Sequence, residues 1–388
     1  MLHLDYANLW TSAGPLSEGA VVIDDDGRLV YMGPMENVPS VSGKRLDLRG
    51  LWIVPGFLDI HVHGGYGITF GESDDALSEL QVYASRVVQT GVTGFLVSLA
   101  APDAVTLQQR VAAFVKVFEQ GVAGASPLGL HLEGPFLNPG RRGAFHPSWL
   151  RSPALDEVAA LLDIGQGWIR QVTLAPELPG AAALAARFRQ AGVVVALGHS
   201  DADYTLAAEA LAGPYTHVTH TFNAQRGFQQ REPGVLGAIL TSEYVTAELI
   251  ADTIHVHPGA MKVLVRCLGV ERIVLISDAM AAAGLADGDY SLVGSPVVVR
   301  EGRALTPDGT LAGSTATLNQ CVAAMVRTVG VSLTDSVRMA TLNPARAMGC
   351  LGAWGNLRTG VRANLTVMDG EGCVYLTVAQ GKVVYNNF

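Results

Sequence analysis

Short apolar runs alternate along most of this chain with segments whose apolar residues recur every three or four positions. That alternation marks buried strands followed by amphipathic helices. Strands are predicted in the stretch from Pro55 to His63 and at Val92 to Ser98, Leu128 to Glu133, Val172 to Ala175, Val193 to Gly198, His217 to Thr221, Val245 to Ile250 and Ile273 to Ser277. Helical spacing fills Asp75 to Gln89, where Leu77, Leu80, Ala84, Val87 and Val88 share a face. It recurs at Ala104 to Glu119, Ala181 to Ala191, Thr205 to Ala212 and Pro258 to Leu268. Eight strands with interposed helices predict a closed parallel (β/α)8 barrel of the TIM type, an α/β fold, although an open doubly wound sheet shares the local pattern. The polar residues favour the barrel. His63, Glu133, His199, His220 and Asp278 stand at the ends of predicted strands, and a barrel gathers those ends on one rim.

The two ends of the chain follow another rhythm. Ala20-Val21-Val22-Ile23 and Leu29-Val30-Tyr31-Met32 flank Asp24-Asp25-Asp26-Gly27, which is a hairpin, since the far-end ligand of a calcium loop is missing. Leu365 to Met368 and Val383 to Tyr385 return to strand character. Residues 1–54 and 357–388 are therefore expected to form one small discontinuous β-sandwich domain around a barrel of residues 55–356. Residues 287 to 311 read as hairpins inserted after the eighth strand, followed by helices at Thr317 to Val329 and Leu333 to Thr341.

Hydrophobic residues make up 49% of the 388 positions and charged residues 16%, which favours a large packed core over disorder. The formal charge of -9 argues against non-specific nucleic-acid binding. Lys44, Lys116, Lys262 and Lys382 are the only lysines, so positive charge is nearly all arginine, the residue suited to gripping phosphate. Cys267, Cys321, Cys350 and Cys373 show no Cys-x-x-Cys spacing, and the start of the chain has no basic segment leading into an apolar run. Free thiols in a reducing cytoplasm are expected. No apolar run reaches the roughly 18 residues of a membrane span.

Chemistry concentrates where the strands end. Period-two geometry puts His61 and His63 on one face, and Gly64 and Gly65 let the chain turn away. A lone His-x-His is more often a core pair. Here Glu133, His199, His220 and Asp278 recur at other strand ends, and zinc or iron needs three or more such nitrogen and oxygen ligands held by separate rigid elements. His131 shares a strand face with Glu133 and is either near the metal or a satisfied interior group. His217 should point away from His220, and nothing supports a role for His3 or His257.

At these residues the chain resembles the amidohydrolase superfamily and, within it, the N-acetylglucosamine-6-phosphate deacetylase family. The resemblance runs through Pro-Gly-Phe-Leu-Asp-Ile-His-Val-His-Gly (55 to 64), His-Leu-Glu-Gly-Pro-Phe (131 to 136), Gly-His-Ser (198 to 200) and Thr-His-Thr-Phe-Asn-Ala (219 to 224). It continues in Arg-Glu-Pro-Gly (231 to 234), Ile-Ala-Asp-x-x-His-Val (250 to 256), Ser-Asp-Ala-Met (277 to 280), Leu-Ala-Gly-Ser (311 to 314) and Asn-Pro-Ala-Arg (343 to 346). Three positions depart from the family pattern. Gln225 stands where a Met is usual, Phe145-His146 where a His directly follows Gly-Ala, and Thr253 where Gly follows Asp.

The resemblance implies hydrolysis of the acetamide of a phosphorylated N-acetyl amino sugar, in amino-sugar catabolism and cell-wall sugar recycling, with one or two divalent ions, zinc or iron, per subunit. Glu133, His199 and His220 would hold the metal on which hydrolysis depends, and His61 and His63 would serve a second site close to Asp278. Asp278 would be the general base and then the general acid. His255 would polarise the acetyl carbonyl. Ala144, Asn223, Ala224, Leu311, Ala312 and Gly313 would line the sugar, and Arg231 would grip the 6-phosphate, in its own site or a neighbouring subunit's, which implies a homodimer. Two rivals share parts of this picture. A dihydroorotase or purine deaminase would keep the barrel and ligands, but no Lys ends a predicted strand to form the bridging carboxylated lysine of many such sites. A non-catalytic scaffold would be expected to lose ligands, and all six are present.

Overall fold

The runs predicted as strands are buried along almost their whole length, as parallel strands covered on both faces must be. In the computed structural model, which describes all 388 residues, β1 (Phe57–Asp59), β2 (Val92–Leu99), β3 (Ser126–Glu133), β4 (Ile169–Leu174), β5 (Val194–Leu197), β6 (His217–Val218), β7 (Thr246–Ile250) and β8 (Ile273–Ile276) lie side by side in chain order, each parallel to the next. This is the (β/α)8 arrangement, nearly closed. At the seam between β8 and β1 a side chain does the joining. Buried Asp59 accepts from the Ser277 amide at 3.2 Å and from its hydroxyl at 2.5 Å. Burial pushes the Asp59 carboxyl up to about 6 against the pull of those two bonds.

Seven helices follow the first seven strands: α1 (Ala76–Val87), α2 (Ala104–Gln120), α3 (Leu155–Gly165), α4 (Ala181–Gln190), α5 (Tyr204–Ala212), α6 (Gly234–Thr241) and α7 (Pro258–Leu268). Asp75, Asp103 and Asp203 cap α1, α2 and α5 by accepting from the amide three residues on. Two helices escape a reading by periodicity. α6 is apolar almost throughout and shows no polar face, and α3 begins without a side-chain cap. The helix expected at Thr317 to Val329 is α-helical over Leu318–Ala324 and widens into a π turn over Met325–Val329 before Gly330.

The first strand also ends sooner than its pattern suggests. Beyond Asp59 the backbone keeps one bond to β2, from the Ser98 amide to the Val62 carbonyl at 2.9 Å, and otherwise bonds to the loop after β8: the Asp278 amide donates to the His61 carbonyl at 3.0 Å, and the His63 amide to the Ala279 carbonyl at 2.9 Å. His61 and His63 thus sit just past the strand. Gly64 is required there, because a Cβ would lie 2.0 Å from the Ile68 carbonyl oxygen.

Both termini build one sheet. Leu2–Leu9, Leu16–Ile23, Leu29–Pro34, Lys44–Asp47 and Trp52–Pro55 join Leu365–Met368, Val374–Ala379 and Lys382–Asn386 into eight hydrogen-bonded strands. Trp52–Pro55 is the link, parallel to Leu2–Leu9 and antiparallel to Leu365–Met368. This sheet has its own apolar cluster of 14 buried residues, separate from the barrel's, so it packs as a distinct layer. The Asp24 to Gly27 stretch turns its second hairpin, between Leu16–Ile23 and Leu29–Pro34. Gly288–Leu292, Ser295–Arg300 and Arg303–Leu305 form a three-stranded insert after β8. No helix is long and apolar enough to cross a membrane.

Candidate metal and active centre

Strand ends aim the chemistry at one point on the rim. Glu133 is the last residue of β3, and His199, His220 and Asp278 follow β5, β6 and β8 in left-handed backbone, at φ 49°, 24° and 49°. Such conformations cost on the order of 1–3 kcal/mol each and persist only where surrounding bonds dictate them. Around Glu133 Oε1 lie His220 Nε2 at 3.0 Å, His199 Nε2 at 3.1 Å and His61 Nε2 at 3.5 Å, while His63 Nε2 is 2.9 Å from Oε2. Asp278 Oδ1 is 3.4 Å from His61 Nε2 and 3.5 Å from His63 Nε2.

The outer ring nitrogens reveal which atoms face the centre. His199 Nδ1 donates to the Arg141 carbonyl at 2.8 Å and His61 Nδ1 to Glu248 at 2.9 Å, which turns their Nε2 atoms inward. His199 Nε2 and His220 Nε2 are 3.0 Å apart, too close for two N–H groups or two bare lone pairs. One N–H donating to one lone pair satisfies the two rings without metal, and a cation in place of that proton would engage both lone pairs. The sets His61, His63, Glu133 and Glu133, His199, His220 each bring their ligand atoms within 4.8 Å of one another, all buried, and this imidazole–carboxylate chemistry fits a divalent metal ion.

Electrostatics in the metal-free protein follow from the same crowding. Burial alone would raise the Glu133 carboxyl, but His61, His199 and His220 outweigh it and hold it well below the usual carboxylate range. Burial works against protonating His61 and His220 too, and nearby carboxylates, Glu133 above all, keep both above the ordinary histidine value.

A cavity of about 830 Å³, counted with its open mouth, adjoins the cluster. His63, Glu133, His199, His220, Asp278 and His255 reach it from the barrel. His255 Nδ1 is held by Asp252 at 2.6 Å, and Asp252 also accepts from the Ile254 and His255 amides. Burial opposes the Asp252 charge, and the bonds to His255 overcome it and lower its pKa. Ala144, Asn223, Ala224, Leu311 and Gly313 line the walls, and Gly143 passes so near that a Cβ would meet the His199 ring at 3.2 Å. Ala312 does not line the cavity. Its side chain is fully buried, packed with Met280, Val297 and Val299 where the insert meets the barrel. Arg231 is exposed on its own loop and is also outside the cavity, none of whose lining residues is Lys or Arg.

Several lining residues carry no sequence signal. Phe145 and Trp149 from the segment after β3, and Leu292, Val293 and Thr310 from the insert, are apolar or neutral residues indistinguishable in the chain from packing groups. Phe145 meets the His199 ring edge-on at 5.4 Å, whereas exposed His146 turns away and caps Ser148. Gln225 closes the 219–225 loop, donating to the Thr219 carbonyl at 2.9 Å and accepting from the Phe222 amide at 3.3 Å. His131 is an interior group, between Ser98 and Thr173, and His217 bonds Glu248 beneath the rim.

A TIM-type barrel with histidines and a carboxylate converging at its C-terminal rim is the architecture of a metal-dependent hydrolase, and the amidohydrolase family profile matches residues 52–384: the chain belongs to that family. Within it the chain falls among the N-acetylglucosamine-6-phosphate deacetylases. The enzyme of that name from Bacillus subtilis is 35% identical over 86% of this chain and 84% of its own. N-acetylgalactosamine-6-phosphate deacetylase of Escherichia coli O157:H7 is 38% identical over 93% of each chain. Among solved structures, N-acetyl-D-glucosamine-6-phosphate deacetylase from Mycobacterium smegmatis, an Asp-to-Ala variant in complex with N-acetyl-D-glucosamine-6-phosphate, superimposes with a TM-score of 0.92 at 35% identity over 99% of both chains.

Proposed function

We propose that this protein hydrolyses N-acetylglucosamine 6-phosphate to glucosamine 6-phosphate and acetate, in amino-sugar catabolism and cell-wall sugar recycling. One observation carries the reading: Glu133, His199, His220, Asp278 and His255 come from five separate strand ends and all border one cavity. Glu133, His199 and His220 would hold the zinc or iron on which turnover depends, with His61 and His63 able to hold a second ion. Such an ion would supply Lewis acidity and bring the pKa of its water down to about 7.

The chain's own groups do the rest. Asp278 Oδ1 lies beside His61 and His63 and borders the cavity, so it can take a proton from the attacking water and return it to the departing amine. His255, with Nδ1 tied to Asp252, directs its other nitrogen toward the acetyl oxygen and stabilises the charge that gathers there. Ala144, Asn223, Ala224, Leu311 and Gly313 hold the sugar ring, and Ala312, whose amide donates to the Ala304 carbonyl, fixes the stretch between Leu311 and Gly313.

The cavity's lack of a cationic side chain supports the idea that the 6-phosphate is met by Arg231 of a second copy in a homodimer. Arg231→Ala should then raise KM about 10- to 100-fold for the phosphorylated sugar and leave the unphosphorylated sugar unaffected. Equal effects on the two sugars would remove the clamp. We take residues 1–54 and 357–388 as a supporting unit to the barrel at 55–356, and four unpaired cysteines accord with a cytoplasmic location.

The E. coli relative favours a second reading, in which the 4-epimer N-acetylgalactosamine 6-phosphate is the substrate. Acetate release from both epimers, before and after chelation, tests the whole proposal. Release that survives complete metal removal, or none from either sugar, would sink it.

A further inference from the structure

Glu248 sits in the middle of β7, fully buried, and the reaction above makes no use of it. Both of its oxygens are doubly taken. Oε2 accepts from His61 Nδ1 at 2.9 Å and from the His220 backbone amide at 3.0 Å; Oε1 accepts from Gln171 Nε2 at 2.7 Å and from His217 Nε2 at 3.1 Å. Burying a carboxylate costs several kcal/mol unless its bonds are complete, and here they are. Two of the four donors belong to candidate metal ligands, one from each set.

We propose that Glu248 is the positioning residue of the metal centre, acting chiefly through His61. By accepting from Nδ1 it fixes the tautomer and turns Nε2 toward Glu133 and His63, and by accepting from the His220 amide it anchors the strained turn that carries one ligand of the other set. Gln171 and His217 serve this carboxylate and touch no ligand side chain through it. That accounts for a histidine at 217 that faces away from the rim. The inference rests on the metal reading above and adds to it one support shared by both ligand sets.

The test is zinc affinity, measured by competition with a chromophoric chelator on full-length protein, with a thermal melt of each metal-free variant. Glu248→Gln places an amide NH2 where one acceptor oxygen stood and should weaken zinc about tenfold; Glu248→Ala should approach 100-fold. In a His61→Ala background the loss caused by Glu248→Ala should shrink to a few-fold, because residues that share one interaction are not additive. A merely structural role would give the same loss in both backgrounds and would overturn the proposal. So would a folded Glu248→Gln protein with wild-type affinity, and that variant decides the matter should Glu248→Ala fail to fold. Wild-type protein that binds neither zinc nor iron would take down the metal reading and this inference together, whereas tight wild-type binding with an indifferent Glu248→Gln removes this inference alone.

Discussion

Two buried glutamates each collect histidines, on opposite sides of the same ring of ligands. Glu133, at the rim, has four imidazole Nε2 atoms around it and a cavity beside it. Glu248, a layer below, has its donors packed in on every side and no cavity. The difference is in what remains unsatisfied. At the rim, four imidazole Nε2 atoms crowd one carboxylate, and His63 Nδ1 and His220 Nδ1 are buried without partners. Beneath it, each donor meets an acceptor. His131, for example, lies between the Ser98 and Thr173 hydroxyls, and Thr173 bonds Thr219. A layer short of partners is poised to bind, and the more fully bonded one beneath it, where Gln171 Oε1 is still unpaired, holds it in shape.

That contrast can be broken by substitution, and the largest effect should come at the rim. Asp278→Asn should cut kcat about 10²- to 10⁴-fold while zinc content and melting temperature stay near wild type. Turnover near normal in that variant would end the acid–base assignment. Gln171→Leu, in the layer below, should do the reverse. It strips one donor from Glu248 and should cost about 1–3 kcal/mol of stability in a denaturant titration, with kcat changed only a few-fold. A large kcat loss at unchanged stability would mean the two layers are not separable.

A smaller effect should appear with pH. His61 and His220 are held above the ordinary value of 6.5 in the metal-free protein, so the stability they contribute is complete below 6.5 and is lost as pH rises through their folded values. Zinc binding has the opposite sign, since it needs those rings unprotonated. The gap in melting temperature between zinc-loaded and chelated protein should therefore widen from about pH 6 to about pH 8.5. His131, buried and held well below 6.5, loses stability as pH falls, but it does so in both forms and cancels from the gap. A gap that narrows over this range would contradict the placement of charge at the rim.

The smallest effect concerns a departure from the family pattern. Thr253 adopts φ 65°, a left-handed conformation costly for a β-branched residue, beside the Asp252–His255 pair. Thr253→Gly should stabilise the fold by about 0.5–1 kcal/mol without altering kcat. Destabilisation would show that the Thr side chain does something besides tolerate its backbone.

Much of this was legible in the chain because strands and helices impose different periods on apolar residues. The strand starting at Val92, the helix from Ala104 and the ligand-bearing ends at Glu133, His199 and His220 were all visible before any fold was known. Where no polar face exists, as in α6, periodicity had nothing to report.

The sequence by itself determined the alternation, the barrel it implies and the identity of the groups able to hold a cation, since each is written in local spacing or residue type. Only the tertiary structure decided that Phe145 rather than His146 faces the cavity, that Ala312 is packed away from it, and that Glu248, Gln171 and His217 meet under the rim. Those facts depend on backbone turns and on strands 31 to 187 residues apart in the chain being brought side by side. No local pattern records which of two adjacent side chains a turn will present, or which distant donor a buried carboxylate will find.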